Sequence, residues 1–388
     1  MPFSRARRLD ALPPYLFIEI DRRKRAAIAA GKDIINLGVG DPDRPTHGFI
    51  IDALAQAAAD PRHHRYPYDN GVPEFKERVA AWFERRFGVT LDREREILSL
   101  IGSKEGIGHL PLAVLNPGDL ALVPQPGYPV YESGTIFAGG QPFFLPLRES
   151  RGWLPDFDAV PADVLDRAAL LYLNYPNNPT GAVADLAFFE RCVALARQHD
   201  FVICHDAAYS ETYFDRPPPS ILQVRGALDC CVEMHSLSKT FNMTGWRLGF
   251  AVGNAEVLAA LAKIKGNLDS GQFGAIQQAG AVAIAGIDRP EVRAQVDEYR
   301  ARRDALVGAL ARGGFRIAPP PATFYVFAGC PSGQESMGCA ARLLEEAGVV
   351  AIPGTGFGAA GEGYVRFALC APLERVREAG ERIARIRW

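Results

Sequence analysis

HSLSKTFNMTGWRLGF, at residues 235–250, joins a predicted strand to a loop rich in hydroxyl groups and positive charge. Lys239 lies between Ser238 and Thr240, and Arg247 follows eight residues later. A lysine at the end of a strand, close to an arginine, suits two functions: binding a phosphate, or forming a Schiff base beside a bound phosphate. The phosphate-loop pattern GxxxxGK[ST] is absent, because Glu and Ser occupy the two positions where it requires glycine. A solvated surface lysine is the simplest alternative.

Lysine is rare in this chain, so each lysine is informative. The sequence contains seven lysines and 36 arginines. Arginine stays protonated in proteins, so a reaction that needs an amine nucleophile must use lysine. Lys104 and Lys239 follow predicted strands. We expect the other five to be surface residues: Lys24, Lys32, Lys76, Lys263 and Lys265.

Strand-like and helix-like segments alternate through most of the chain. Amphipathic stretches such as 185–199 separate short aliphatic runs, which lie at 120–124, 169–174, 201–205, 231–235 and 248–252. This alternation predicts an α/β fold, with a mainly parallel sheet covered by helices on both faces. In such sheets, ligands bind at the carboxyl ends of the strands.

The C-terminal part of the chain has a different, α+β pattern. It combines predicted helices at 290–312 and 336–347 with short strand-like runs, which lie at 315–317, 324–328, 349–352 and 364–368. We therefore predict a large domain over residues 45–285. Residues 1–44 and 286–388 are predicted to form a smaller domain together.

Polar side chains follow two of the predicted strands. Asp206 ends the apolar run of DFVICHDAAY (200–209), and Tyr209 comes three residues later. A carboxylate at the end of a buried strand is costly unless a pyridinium N–H, a metal or an arginine pairs with it. Asn178 lies in the turn LNYPNNPTG (173–181), where its amide can hold a ring hydroxyl or a carboxylate. An ordinary turn is the alternative for that segment.

A second anion site is predicted in LIGSKEGI (100–107), where a strand gives way to a helix at Ser103 and Lys104. Backbone N–H groups at a helix start, together with a hydroxyl and an ammonium group, bind anions. QPGYPVY (125–131) then holds Tyr128 between prolines, which fixes an aromatic ring on a loop.

Composition excludes several classes of protein. Apolar residues make up 48% and charged residues 23%, as in folded proteins, and the net charge of −2 lacks the positive excess that nucleic-acid binding needs. The apolar runs are too short to span a membrane, and the basic N-terminus has no apolar signal core, so we expect a cytoplasmic protein. The seven cysteines contain no CxxC pair and the histidines no HExxH spacing, so we expect reduced thiols and no metal site.

Together and in this order, these segments resemble the fold-type I, pyridoxal-phosphate-dependent aminotransferases of class I and II. The resemblance runs from LGVGDPD (37–43) to YVRFAL (364–369) and includes GSK, PGYP, NPTG, DAAY and SLSKTFNMTGWR. Within that family, PYLFIEID (14–21), HDAAYSE (205–211) and NLDSGQF (267–273) are similar to LL-diaminopimelate aminotransferases. The resemblance implies a large domain with a seven-stranded, mainly parallel sheet between helices, and a smaller α+β domain.

The resemblance also implies roles for the matching residues. Lys239 forms the Schiff base with pyridoxal 5′-phosphate and moves the substrate proton, while Asp206 pairs with the pyridine nitrogen. Tyr209 and Asn178 reach the ring O3′. Five further residues hold the phosphate or stack on the ring: Ser103, Lys104, Tyr128, Ser236 and Arg247.

The remaining implied roles concern the substrate and a second subunit. Arg366 clamps the substrate α-carboxylate, and the backbone closes over that carboxylate at Gly40. Tyr66 reaches the phosphate of the neighbouring subunit, which implies a homodimer with shared active sites. Tyr15 and Asp69 are candidates for binding the distal amino-acid head of LL-diaminopimelate.

The implied reaction transfers an amino group from LL-diaminopimelate to 2-oxoglutarate, giving glutamate and tetrahydrodipicolinate, in lysine biosynthesis. Three alternatives stay open: another donor (alanine, aspartate, an aromatic amino acid or N-succinyl-diaminopimelate), a β-lyase, or a non-catalytic regulator with the same fold. Intact Lys239, Asp206 and Arg366 favour catalysis, because a regulator needs no Schiff-base amine.

Overall fold

A seven-stranded sheet forms the core of the protein in the computed structural model, which describes residues 4–12, 16–67 and 70–388. The strands in chain order are β1 (Ile35–Asn36), β2 (Ile97–Leu100), β3 (Leu120–Gln125), β4 (Gln141–Pro146), β5 (Ala168–Asn174), β6 (Val202–Asp206), β7 (Cys231–Ser236), β8 (Gly249–Gly253), β9 (Tyr325–Gly329), β10 (Val349–Val350), β11 (Ile352–Pro353) and β12 (Tyr364–Ala368). The central sheet has the order β2-β8-β7-β6-β5-β3-β4. Only the pairs formed by β8 are antiparallel, so the prediction of a mainly parallel sheet is confirmed.

Helices cover both faces of this sheet. The helices of the described residues, in chain order, are α1 (Leu16–Ala29), α2 (Gly48–Ala58), α3 (Pro73–Phe87), α4 (Ser103–Val114), α5 (Val130–Phe137), α6 (Ala162–Arg167), α7 (Leu186–His199), α8 (Leu237–Thr240), α9 (Ala255–Leu268), α10 (Gly274–Ala285), α11 (Pro290–Arg312), α12 (Ser336–Ala347) and α13 (Leu373–Ile383). Of these, α12 and α13 pack against the strands of the C-terminal part and not against the central sheet. Successive strand residues point to opposite faces. In β5, for example, Leu171 packs in one apolar cluster with α3, α7 and α10, while Leu170 and Tyr172 pack in another with α4 and α9. This double burial explains the uninterrupted apolar runs in the sequence.

A second, three-stranded antiparallel sheet of order β11-β12-β9 forms in the C-terminal part of the chain. The predicted strand at 315–317 is wrong, because only Arg316 forms a bridge there, to Gly329. The predicted run at 349–352 divides into β10 and β11, since β10 pairs with β1 and β11 pairs with β12. The β1–β10 pair connects the N-terminal segment to the C-terminal part of the chain.

Two of the five lysines expected at the surface are buried, so that expectation is wrong for them. Lys76 donates to Glu94 at 3.0 Å, and Lys265 donates to Glu105 at 2.8 Å. Burial is tolerated because a carboxylate pairs with each ammonium group. Lys265 Nζ also lies 3.4 Å from Asp269 Oδ2, so it neutralises two of the three side chains, Glu105, His109 and Asp269, that could otherwise hold a metal ion.

The cysteines and the helices add two further observations. All seven cysteines are free thiols, five of them buried, as the sequence predicted. Within the described ranges, none of the helices combines the length and the apolar character needed to cross a membrane.

A buried polar cluster links the carboxyl ends of β6 and β7. Glu233 on β7 is fully buried; its Oε1 accepts from His235 Nε2 at 2.7 Å and its Oε2 from His205 Nδ1 at 2.9 Å. Oε2 also accepts from Ser220 Oγ at 2.9 Å. His205 Nε2 lies 3.0 Å from the carbonyl of Tyr175, so the ring faces an acceptor on each side. The cluster thereby fixes β6 and β7 to each other and to the loop that follows β5.

We expect Glu233→Gln to lower the free energy of unfolding at pH 7 by about 3 kcal/mol, because it breaks a buried charged cluster. Burial alone would raise the pKa of Glu233, but hydrogen bonds from His205 and His235 hold it well below the ordinary value of 4.5. A depressed pKa contributes stability above 4.5 that is lost as the pH falls. Urea unfolding at pH 7 and in the acid range should therefore show a weaker loss of stability on acidification in the variant.

Glu211→Gln is the matched control. Glu211 is also buried, but burial raises its pKa, and within the described part of the chain it pairs with Arg86 alone, at 3.1 Å. A neutral amide is therefore better tolerated there. If Glu233→Gln unfolds at the same urea concentration as the wild type, the cluster does not hold the strand ends as described.

Candidate active site

Three strand ends and one helix start meet at the same edge of the central sheet. Asn174, Asp206 and Ser236 are the last residues of the parallel strands β5, β6 and β7, and Asn174 pairs in register with Asp206. Ser103 begins α4, next to this edge, since a Cβ built on Gly249 of β8 would lie 2.7 Å from its backbone nitrogen. The edge therefore collects the residues that the sequence placed after predicted strands, as expected for a doubly wound sheet.

Asp206 is buried at this edge with no ion-pair partner among the described residues. Its Oδ2 accepts from Tyr131 Oη at 2.8 Å, and its Oδ1 accepts from the backbone N–H of Ala208 at 3.2 Å. Burial raises the pKa of Asp206, although the hydrogen bond from Tyr131 opposes the shift. A cationic N–H against this carboxylate would offset the cost of its burial.

Lys239 lies on the short helix α8, directly after β7. Its Nζ donates to the carbonyl oxygen of Gly40 at 3.0 Å, and the ring of Phe324 lies 5.6 Å away. Burial lowers the pKa of Lys239, because it penalises the charged form. The neutral amine, which is the nucleophilic form, is therefore more populated than in an exposed lysine.

Arg366 on β12 is buried, and no carboxylate of the described residues pairs with it. Its Nη1 donates to Asn178 Oδ1 at 3.0 Å and its Nη2 to the carbonyl of Gly38 at 2.7 Å. Its Nε is buried without a hydrogen-bond partner. The rings of Tyr325 and Phe357 lie 4.3 and 4.6 Å from the guanidinium carbon. An unneutralised guanidinium held in this way is suited to binding the carboxylate of a ligand.

Two buried tyrosines, Tyr209 and Tyr325, form a pair beside Arg366 and Gly40. Tyr209 Oη and Tyr325 Oη lie 3.1 Å apart, and burial raises the pKa of both, so both hydroxyls keep their protons. The Tyr325 hydroxyl lies so close to Gly40 that a Cβ there would overlap it. Glycine at position 40 therefore allows the backbone to pass directly over the tyrosine, next to the lysine.

An anion cradle surrounds the start of α4. Gly102 has φ = +77°, and a Cβ there would overlap the guanidinium of Arg247. Arg247 Nη1 donates to the carbonyl of Thr244 at 2.7 Å and lies 3.5 Å from Ser238 Oγ. The free N–H groups of a twelve-residue helix, two serines and an arginine are donors that suit a phosphate.

These features fit the pyridoxal phosphate that the sequence resemblance implies. The cradle offers donors for a phosphate, Lys239 offers an amine for an aldehyde, and Asp206 offers a carboxylate for a ring N–H. Asn178 is buried beside Arg366. Tyr128 is half-buried, with its ring 5.9 Å from that of Tyr131.

The remaining predicted site residues differ in their exposure. Ser236 accepts from the N–H of Ser238 at 3.2 Å at the start of α8, and Lys104 is exposed in the first turn of α4. Tyr66 is exposed on the single chain. The predictions for Tyr15 and Asp69 fall outside the described residues.

Sequence reasoning missed three residues that contact the predicted ones. Asn174 donates to the carbonyl of Asp206 at 2.8 Å and accepts from the N–H of Asn178 at 2.8 Å, and its place at a strand end was a usable signal. Tyr131 lies in the quoted PGYPVY segment, but nothing in the spacing pointed to Asp206. Tyr325 occurs in an apolar run, which gave no signal.

We expect Tyr131→Phe to weaken cofactor binding about tenfold, because Asp206 loses a hydrogen bond to its charged form and its pKa rises further. Titration of the apoenzyme with pyridoxal phosphate measures this. Tyr172→Phe is the matched control, because its ring stacks on Tyr131 at 4.8 Å but its hydroxyl donates to the Ile107 carbonyl at 3.3 Å. Equal affinities for Tyr131→Phe and the wild type would contradict the role given to this hydrogen bond.

The chain is similar to known proteins of one family. Residues 32–383 match the family described as "Aminotransferase class I and II". The chain is 55% identical to the LL-diaminopimelate aminotransferase of Syntrophobacter fumaroxidans, over 100% of both chains. The substrate-bound BacF structure from Bacillus subtilis superposes with a TM-score of 0.94 at 39% identity, covering 99% of this chain and 98% of that one. A probable N-succinyldiaminopimelate aminotransferase from Thermus thermophilus gives 0.91 at 41% identity, covering 95% and 99%.

Proposed function

The chain belongs to the class I and II aminotransferases, and we propose that it transfers an amino group from LL-diaminopimelate to 2-oxoglutarate with pyridoxal 5′-phosphate as cofactor. The observation that carries the reaction class is the buried Arg366, which has no carboxylate partner among the described residues. It lies over the ring of Tyr325, whose hydroxyl lies against Gly40, and the Gly40 carbonyl accepts from Lys239. The donor is proposed from full-length similarity to enzymes of that name.

The proposed chemistry assigns each side chain a task. Pyridoxal phosphate, when bound, supplies an aldehyde that condenses with amines and a protonated ring that withdraws electrons from the substrate Cα. Lys239, whose pKa burial lowers toward the neutral form, takes the proton from Cα and returns it. Asp206 keeps the ring nitrogen protonated, and Tyr209 and Asn178 orient the ring hydroxyl.

The remaining residues bind and align. The start of α4 at Ser103 and Lys104, together with Ser236 and Arg247, holds the phosphate. Tyr128 packs on the ring. Arg366 binds the α-carboxylate beside Gly40, where the backbone limits the room for solvent. Tyr15 and Asp69 are proposed to bind the distal ammonium and carboxylate of the donor. Loss of the α-amino group leaves an oxo acid that cyclises to tetrahydrodipicolinate.

A donor assay tests the proposal. We expect the purified protein, given pyridoxal phosphate, LL-diaminopimelate and 2-oxoglutarate, to form glutamate and the cyclic product, with meso-diaminopimelate a poor donor. If both products are absent while alanine, aspartate, an aromatic amino acid or N-succinyl-diaminopimelate supports turnover, the proposed donor is wrong. Pyruvate and ammonia from cystathionine would indicate a β-lyase.

Lys239→Ala is expected to reduce turnover at least about a thousandfold, because among the described residues no other amine is placed to move the Cα proton. Lys263→Ala is the control, since Lys263 is exposed on α9, and we expect it to keep wild-type turnover. Full turnover by Lys239→Ala would overturn the mechanism.

We also propose a homodimer with shared sites, built from a large domain (45–285) and a smaller one (1–44 with 286–388). In it, the exposed Tyr66 reaches the phosphate of the other subunit. Tyr66→Ala and Lys239→Ala then impair complementary halves of a site, so dissociating and reassociating their mixture should give more activity than the two separate variants combined. Activity equal to their sum would argue against shared sites.

A further inference from the structure

One short segment supplies two of the carbonyl groups in the active site. Residues 37–46 enter the site after β1, where the Leu37 N–H donates to Val350 and its carbonyl accepts from Ala368 at 2.6 Å. The Gly38 carbonyl then accepts from Arg366, and the Gly40 carbonyl accepts from Lys239. The position of this segment therefore decides where the lysine amine and the arginine point.

The far end of the segment is held by Arg302 on α11. Arg302 has the largest fully buried side chain among the described residues. Its Nη1 and Nη2 donate to the two carboxylate oxygens of Asp43 at 2.6 and 3.0 Å. Nη1 also donates to the carbonyl of Leu369 at 2.8 Å, just past the end of β12. The same guanidinium therefore forms hydrogen bonds with both the segment and the end of the strand that carries Arg366.

The same face of α11 makes two further contacts with the site. Gln295 Nε2 donates to the backbone carbonyl of Lys239 at 3.1 Å. Glu298 pairs with Arg302 at 3.0 Å and also with Arg44 in the segment. Spacings of three and four residues put Gln295, Glu298 and Arg302 on one side of a helix. One helix face thus touches the backbone of the lysine, the segment and the strand of the arginine.

The chemistry of this contact requires arginine. A planar guanidinium matches both oxygens of a carboxylate at once and still has an N–H for a carbonyl, whereas lysine presents a single point charge. A buried cation that only added stability could pair with any nearby acid. Asp43 lies three residues from Gly40, so a loss of the paired geometry is transmitted directly to the site.

We propose that Arg302 is a positioning residue, which acts through its hydrogen bonds to Asp43 and Leu369. These bonds fix the Gly38 carbonyl against Arg366 and the Gly40 carbonyl against Lys239. The site that binds the substrate carboxylate thereby keeps its shape. The proposal rests on the proposed transamination and deepens it. The proposal distinguishes the part of the site that binds the substrate carboxylate from the part that binds the cofactor phosphate. The phosphate cradle at α4 and Arg247 does not contact α11 or the segment through any hydrogen bond seen in the described residues, so the contacts that hold the cofactor phosphate are independent of Arg302.

Arg302→Lys tests this directly, with Arg303→Lys as the matched control. Arg303 is the next residue of α11 and is also buried, but it donates to Asp304 and to the carbonyl of Pro320 and faces the ring of Phe214. We expect Arg302→Lys to raise KM for the amino donor and the oxo acid about tenfold, with an unchanged affinity for pyridoxamine phosphate, the cofactor form that binds without a Schiff base to Lys239. Hydrogen exchange in the holoenzyme should rise in the peptide covering residues 36–46. Arg303→Lys should change none of these.

Two readouts keep the result independent of the donor. Calorimetry with glutarate, a simple dicarboxylate, reports on the carboxylate site even if LL-diaminopimelate is not the substrate. Asp43→Asn, which keeps the shape but loses the charge, should weaken glutarate binding and be non-additive with Arg302→Lys. The proposal is overturned if Arg302→Lys affects glutarate binding no more than Arg303→Lys does. It is equally overturned if the affinity for pyridoxamine phosphate falls in parallel, or if exchange rises throughout the protein, because these indicate a structural role only.

Discussion

The geometry of the active site depends on the hydrogen bonds that Glu233 accepts on the face of the sheet covered by α3 and α7. His205 and His235, which donate to it, immediately precede Asp206 and Ser236. Side chains alternate along a strand, so fixing the two histidines on one face places the two site residues on the other. Aromatic rings pack against both histidines: Trp82 and Phe250 against His235, and Phe189 against His205. The polar cluster on the α3 and α7 side thus sets the geometry of the edge that faces ligands.

Two buried arginines, Arg302 and Arg366, differ in whether their hydrogen-bond partners carry a negative charge. That difference decides which of them can bind a charged ligand. Arg302 is neutralised by Asp43 and Glu298, so it has no charge left to offer a ligand. Arg366 is held by an amide and a carbonyl, which orient the guanidinium without neutralising it. Burial lowers the pKa of Arg366, because removing the charged guanidinium from water is unfavourable. A substrate carboxylate relieves that cost, and this gives a physical reason for affinity at that position.

The sequence was informative where chemistry followed directly on a strand, and it failed where tertiary contacts decided. Asp206 and Lys239 could be found because a parallel sheet brings strand ends together, and because lysine is scarce. The burial of Lys76 and Lys265 was missed, since the acids that pair with them lie on other elements. Tyr325 and Arg302 were also missed, one within an apolar strand and one within a charged helix, because neither local pattern reveals which long-range partner a side chain meets. The role of Tyr66 was taken from the family resemblance, because it involves a second subunit and follows from no pattern within one chain.

The opposite pKa shifts of Asp206 and Lys239 have a single cause and a single consequence. Burial raises the pKa of the carboxylate and lowers that of the amine, so the protein disfavours both charges. A ligand with a cationic ring N–H and an aldehyde resolves both, since it pairs with the carboxylate and bonds to the neutral amine. The anion cradle at Gly102 and Arg247 adds the site for its phosphate. Binding of such a ligand therefore favours the folded site over any state in which Asp206 is exposed to water. Cofactor affinity is in this way coupled to the stability of the sheet edge.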